Sequence, residues 1–142
     1  MVWHVLAADC NCSQRILRYL RQQSALEGFR EKLFWITDDN AASPELPDEP
    51  TLAGRTVTRL SREQLAQRYH LEAAPVMLVT DPAGTIRYLG GYTERKQGAA
   101  IRRNEIAHAV RQGTATRPLP LFGCAMSNRL RRLQNPLARR DL

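Results

Sequence analysis

A chain of 142 residues with 43% hydrophobic and 25% charged residues has the size and composition of one ordinary globular domain, and it contains no run near the ~18 consecutive apolar residues that would suggest a bilayer span. The net charge of +7 comes from 19 Arg and only 2 Lys; the arginines are scattered, dense only toward the tail (Arg129, Arg131, Arg132, Arg139, Arg140), with no nucleic-acid motif, so they read as a solvated surface and no nucleic-acid partner is expected. Three cysteines, Cys10, Cys12 and Cys124, are too few for a disulfide scaffold, and the odd count leaves at least one thiol.

Residues 2–8 (VWHVLAA) form a short apolar run rich in strand formers and predict a buried strand. His4 interrupts the run and no basic flank precedes it, so it does not read as a signal peptide. As it stands the chain reads as cytoplasmic; a removed leader would make it exported. Residues 9–12 form a loop, and a helix is predicted from Ser13. Ile16, Leu17 and Leu20 share its apolar face, with Arg15, Arg18 and Arg21 outward. Gly28 ends this helix or lies just past it. Residues 33–37 (LFWIT) predict a second buried strand. Residues 38–55 carry Pro44, Pro47 and Pro50 and several acids, and read as a long surface loop. Residues 56–60 are a short strand or part of that loop.

Ser61 and Gln64 have the spacing of a capping box, opening a helix with Leu65 and Tyr69 on its apolar face. Residues 74–80 predict a third strand that opens with Pro75. The tetrapeptide Asp81-Pro82-Ala83-Gly84 is a tight turn, so residues 85–89 return as the fourth strand of a hairpin, closed by Gly90-Gly91. Residues 99–112 predict a last core helix. Residues 114–122 are extended by Pro118 and Pro120, and Cys124 opens a short helix to about residue 133 that Pro136 ends. Met126, Leu130 and Leu133 fall on one helical face, which makes the segment buriable. The order β-α-β-loop-α-β-β-α predicts a mixed four-stranded sheet with flanking helices. The domain spans 1–112, with a helical C-terminal extension, 113–142, docked on it.

The stretches VLAADCNCS and AAPVMLVTDPAGTIRYLGGY resemble the thioredoxin-like superfamily, over about residues 2–112. The resemblance implies an α/β thioredoxin-like fold in which Cys10 takes the nucleophile's place and Pro75 is a cis-proline facing it, preceded by Ala74. Gly84 and Gly90-Gly91 fall where the family has its hairpin glycines. Departures are specific. Ser13 stands at the fourth motif position, where the family has its second cysteine. The pair here is Cys10-Asn11-Cys12, and Asp9 replaces the preceding aromatic. The implied activity is that of a thiol–disulfide oxidoreductase-like protein acting on a protein thiol or disulfide, with Cys10 as nucleophile, Cys12 or Cys124 as resolving partner, and no cofactor.

The residues support thiol chemistry on their own terms. A thiol at a helix N-terminus meets unpaired N–H groups and the positive end of the dipole, which favour thiolate below the usual pKa of about 8.5. Arg15 reinforces this and Asp9 opposes it. A bond between Cys10 and Cys12 needs Cα atoms about 5.5 Å apart, whereas an extended backbone holds them about 7 Å apart; Asn11 would supply the kink, and the strained bond would be oxidising. Cys124, after Gly123, is the other possible partner. The alternative class is a non-enzymatic module, either for protein interaction or with the three thiols, or two and a histidine, as soft ligands for Cu(I) or zinc. His4, His70 and His108 do not cluster and read as structural or solvated, His70 as a helix C-cap. Asp38-Asp39 reads as the solvated start of an acidic loop, and Tyr92, Glu94, Arg95 and Lys96 as a surface turn. There is no Gly-x-Ser-x-Gly elbow, no His-Glu-x-x-His and no phosphate loop.

Overall fold

Twelve short elements, in the order β1 (Val2–Ala7), α1 (Asn11–Gln22), β2 (Glu31–Ile36), β3 (Thr51–Leu52), β4 (Arg55–Leu60), α2 (Arg62–Tyr69), β5 (Ala73–Ala74), β6 (Val76–Thr80), β7 (Ile86–Gly90), α3 (Arg103–Arg111), β8 (Cys124–Ala125) and α4 (Asn128–Gln134), make up the computed structural model. It describes residues 1–37, 46, 50–95, 99–114 and 116–134. Six strands form one mixed sheet in the order β3-β4-β2-β1-β6-β7, and β5 and β8 make a separate two-stranded pair. β1 lies parallel to β2 and β2 to β4, while β6 runs antiparallel to both β1 and β7. No described helix is long and apolar enough to cross a membrane.

The central position of β1 explains its nearly continuous apolar run, since both its faces are covered. On one face Leu6, Leu33, Trp35 and Met77 pack with Leu17 and Leu20 of α1 and Ile106 of α3. On the other, Val5, Phe34, Ile36 and Val76 pack with Leu60, with Leu65 of α2, and with Met126 from the C-terminal extension. The hairpin turns at Asp81–Gly84, where Gly84 (φ +86°) donates its N–H to the Asp81 carbonyl at 3.0 Å. The capping box of α2 is complete. Ser61 Oγ accepts from the Gln64 N–H at 3.1 Å, and the Ser61 N–H donates to Gln64 Oε1 at 2.9 Å. His70 ends that helix in the left-handed region, φ +55°.

The expected four strands are corrected to six. The stretch 38–55 is not loop throughout: Leu52 and Arg55 pair across Ala53 and Gly54, both at positive φ (+47° and +84°), a two-residue hairpin connection. Arg55 then opens β4 instead of lying in a loop, because its guanidinium is buried against Glu31. The Asp38-Asp39 pair lies outside the described residues.

Other boundaries shift as well. α1 begins at Asn11 rather than Ser13, with Cys10 as its N-cap in extended backbone (φ −116°, ψ 118°), and it ends at Gln22, well before Gly28. α3 begins at Arg103 rather than residue 99. The helix expected from Cys124 is a strand there and becomes helical only at Asn128. Residues 124–126 find backbone partners in 72–74, including Met126 N–H to the Glu72 carbonyl at 2.5 Å, and those bonds replace helical ones. Met126 is buried and Leu133 is 53% exposed, so the face expected of Met126, Leu130 and Leu133 does not exist as one surface.

Candidate functional site

The end of β1 delivers Cys10 to the start of α1. The turn between them is fixed by Ser13, whose buried Oγ accepts the Ala7 N–H at 3.0 Å. Gln14 adds two bonds: its N–H donates to the Cys10 carbonyl at 2.9 Å and its side-chain amide donates to the Ala8 carbonyl at 2.8 Å. Cys10 is fully buried, with its thiol donating to the Ala74 carbonyl at 3.7 Å. The Ala74–Pro75 peptide bond is cis. Cys12, in the first turn of α1, is half-buried, and Asp9 is exposed and ion-paired with Arg62.

Cys124 arrives from the opposite end of the chain. In the β5–β8 pair it lies directly across from Ala74, so it stands over the residue whose carbonyl Cys10 touches. Its thiol is pushed up to about 12, first by burial, then by a hydrogen bond with Cys10 and by the negative charge that Cys10, Cys12 and Asp9 carry when ionised. Cys124 therefore keeps its proton at neutral pH. The structure brings Cys10, Cys124, Ala74 and Pro75 together, with Cys12 beside them. No disulfide joins the three thiols.

Two glycines allow the extension to lie this close. A Cβ on Gly123 would collide with the Ala74 carbonyl and Pro75 Cδ, and one on Gly91 would collide with the Pro120 carbonyl. Upstream, the Gly91 N–H donates to the Leu119 carbonyl at 3.0 Å, and Tyr88 Oη accepts from the Leu119 N–H at 3.1 Å while donating to the Gly91 carbonyl at 2.6 Å. Downstream, Glu72 accepts from Ser127 Oγ at 2.8 Å and from Arg129 Nε at 2.9 Å. The Arg129 and Ser127 bonds hold the Glu72 carboxyl down at about 2. A cavity of about 30 Å³, room for roughly one water, is lined by Cys12, Arg15, Pro75, Tyr92 and Phe122, among others.

No family model and no curated protein matches the chain. Its likeness lies in solved structures. One is a crystal structure of an uncharacterized conserved protein from Geobacillus kaustophilus, 14% identical, with 89% of this chain and 75% of that chain covered and a TM-score of 0.63. Another is that of a hypothetical protein from Sinorhizobium meliloti 1021, 15% identical, covering 88% and 77%, with a TM-score of 0.59. At these identities the likeness is one of fold.

Toward the other end of β1, where Val2 pairs with Glu31, lies a buried polar network that sequence reasoning missed. Glu31 accepts from Arg55 Nε at 2.7 Å and from the Leu26 N–H at 2.5 Å, with Arg103 Nη1 at 3.4 Å. His4 Nε2 lies 2.8 Å from Glu31, and its Nδ1 lies 2.7 Å from Tyr92 Oη. Burial lowers the His4 pKa, so the ring is neutral, and the partners assign its proton to Nε2, facing the carboxylate. Burial alone would raise Glu31; hydrogen bonds from His4, Arg55 and Leu26 outweigh it and hold the carboxyl at about 2. Tyr92, expected on a surface turn, is buried with its hydroxyl bonded to His4 and with its pKa raised well above 10 by that burial. The one available signal was Arg55 opening RTVTRL, whose Val57 and Leu60 are buried. His70 and His108 are exposed. Among the described residues no three His, Cys, Asp or Glu side chains group closely enough to hold an ion, which leaves the Cu(I) or zinc alternative without a geometric support.

Proposed function

We propose that the chain is a thioredoxin-like thiol–disulfide oxidoreductase in which Cys10 is the nucleophile and Cys124 the resolving thiol. The observation that carries this reading is the position of Cys124, directly opposite Ala74, the residue whose carbonyl accepts from the Cys10 thiol. Two further features support it: a strand-to-helix junction that places Cys10 at the N-cap of α1, and Pro75 opening β6 beside it. Cys10 thiolate attacks one sulfur of a substrate disulfide, forming a mixed disulfide and expelling the other sulfur as thiolate. Cys124, once deprotonated, attacks the Cys10 sulfur and releases the second substrate thiolate. The protein dithiol becomes a Cys10–Cys124 disulfide and the substrate disulfide becomes two thiols, so two electrons pass to the substrate. Cys12, half-buried on the first helical turn, is the second candidate for the resolving role.

Insulin reduction with dithiothreitol as electron source tests the reading. Wild type is expected to accelerate turbidity and Cys10→Ser to abolish the acceleration. In a single turnover without dithiothreitol, pre-reduced Cys124→Ser is expected to accumulate a Cys10–insulin mixed disulfide visible by mass. Equal rates for wild type and Cys10→Ser would remove the enzyme reading.

A further inference from the structure

The extension does more than supply a third cysteine. Residues 124 and 125 lie antiparallel to Ala73–Ala74, outside the main sheet, as an added peptide strand would. Met126 is buried in the same apolar cluster as the fully buried Cys10, and Cys124 packs against that cluster. The covering is lightly held. It rests on a two-residue ladder, the Met126 N–H bond to the Glu72 carbonyl, one buried apolar side chain in Met126, the Leu119 bonds to Gly91 and Tyr88, and the surface grip of Ser127 and Arg129 on Glu72. Leu121 lies 50% exposed within it. Short ladders and exposed fixings belong to the low-stability end of a protein's opening spectrum.

We infer that residues 119–127 form a self-inhibitory strap seated in the groove for an extended, cysteine-bearing polypeptide, and that Cys10 becomes accessible when the strap lifts. The oxidoreductase reading supplies the identity of the visitor; the strap itself does not depend on it. A lifted strap leaves the backbone groups of Ala73–Ala74 and the Glu72 carbonyl unpaired, the Cys10 sulfur beside them, and an apolar seat where Met126 sat. Such an edge recognises backbone rather than one side chain. Its selectivity comes from the seats the strap now fills. The residue before the visiting cysteine must be small, because at Gly123 even a Cβ meets the Ala74 carbonyl. The residue two beyond the cysteine is apolar, as Met126 is.

The test uses a full-length chain whose sole cysteine is Cys10 (Cys12→Ser with Cys124→Ser), with iodoacetamide alkylation followed by mass. Gly123→Ala, which forces the strap off Ala74, is expected to accelerate alkylation about tenfold or more. A second variant, Glu72→Gln with Arg129→Ala, loosens only the surface grip and is expected to accelerate it several-fold. Circular dichroism and cooperative thermal unfolding check that each variant is folded. The second probe is the mixed disulfide of the peptide LFGCAM with thionitrobenzoate. Cys10 thiolate attacks the peptide sulfur and expels thionitrobenzoate, whose absorbance counts the exchange. In the Gly123→Ala chain this peptide is expected to react faster than LFVCAM. Alkylation rates in both opened variants within about twofold of the parent would overturn the strap, and equal rates for the two peptides would overturn its groove. Alkylation of a lone thiol needs no turnover, so a chain inactive on insulin can pass this test and an active one can fail it.

Discussion

Glu31 is the residue on which the interior's electrostatics turn. It is buried with two guanidiniums, Arg55 and Arg103, whose remaining donors reach the Leu20 and Ser24 carbonyls. Removing one member of such a group leaves buried charge unpaired, at about 3–5 kcal/mol, far more than a solvent-screened pair such as Arg87–Asp81 contributes. Glu31→Gln is therefore expected to lower the urea midpoint far more than Asp81→Asn. The acid limb of stability should have two stages. His4 is held below its ordinary 6.5, so the unfolded chain binds a proton first and stability falls as pH drops through 6.5. Glu31 is held at about 2 against an ordinary 4.5, so its contribution is complete above 4.5 and lost as pH falls toward 2. Urea titrations between about pH 7.5 and about 3 should show both stages in wild type and a smaller lower stage in Glu31→Gln, with the exposed Glu72 carboxyl, also held at about 2, supplying what remains.

Among the elements, α2 shows how much a short helix owes to its ends. It spans eight residues with Leu65 as its one buried side chain, and isolated helices of that length are unstable in water. The reciprocal bonds between Ser61 and Gln64 therefore matter more here than in α1, which buries Ile16, Leu17 and Leu20. Ser61→Ala is expected to cost about 1 kcal/mol, read as a lowered denaturant midpoint with an unchanged slope. α2 also borders the strap, since Arg62 pairs with Asp9 and a surface groove is lined by Ser61, Arg62, Met126 and Arg131. Fraying of this helix start is expected to loosen one wall of the thiol site.

At the scale of the molecule, what was legible in the sequence was what is local. The apolar run of β1, the turn at Gly84 and the capping box depend on residues within a few positions of one another, and each stands where its pattern placed it. The strand at Arg55 was obscured because a charged residue opens it, and the carboxylate that makes its burial tolerable is Glu31, on a different strand. Tyr92 was misplaced for the same reason: a charged loop surrounds it in sequence, while in space it meets His4. In the extension, helical spacing suggested a helix from Cys124, but an unpaired edge at Ala73–Ala74 offered those residues a strand partner. Cys10 and Cys12 declared themselves by position at a helix start; the seat of Cys124 depends on Gly91 and Gly123, which sequence spacing does not connect.

Those two glycines also turn the stretch between them into a ruler. Pro120 is pinned over Gly91, and Gly123 over Ala74 and Pro75. A strand that slips by one residue turns every side chain to the other face, so a slip here would bring Phe122 or Cys124 onto the Ala74 carbonyl. Chain length between 120 and 123 is thus under tighter constraint than side-chain identity. One Ser inserted between Leu121 and Phe122 is expected to prevent a Cys10–Cys124 bond from forming on mild oxidation, read by mass as three alkylated thiols in the unfolded chain where the parent shows only Cys12. The same insertion between Arg117 and Pro118, outside the ruler, is expected to leave that bond intact.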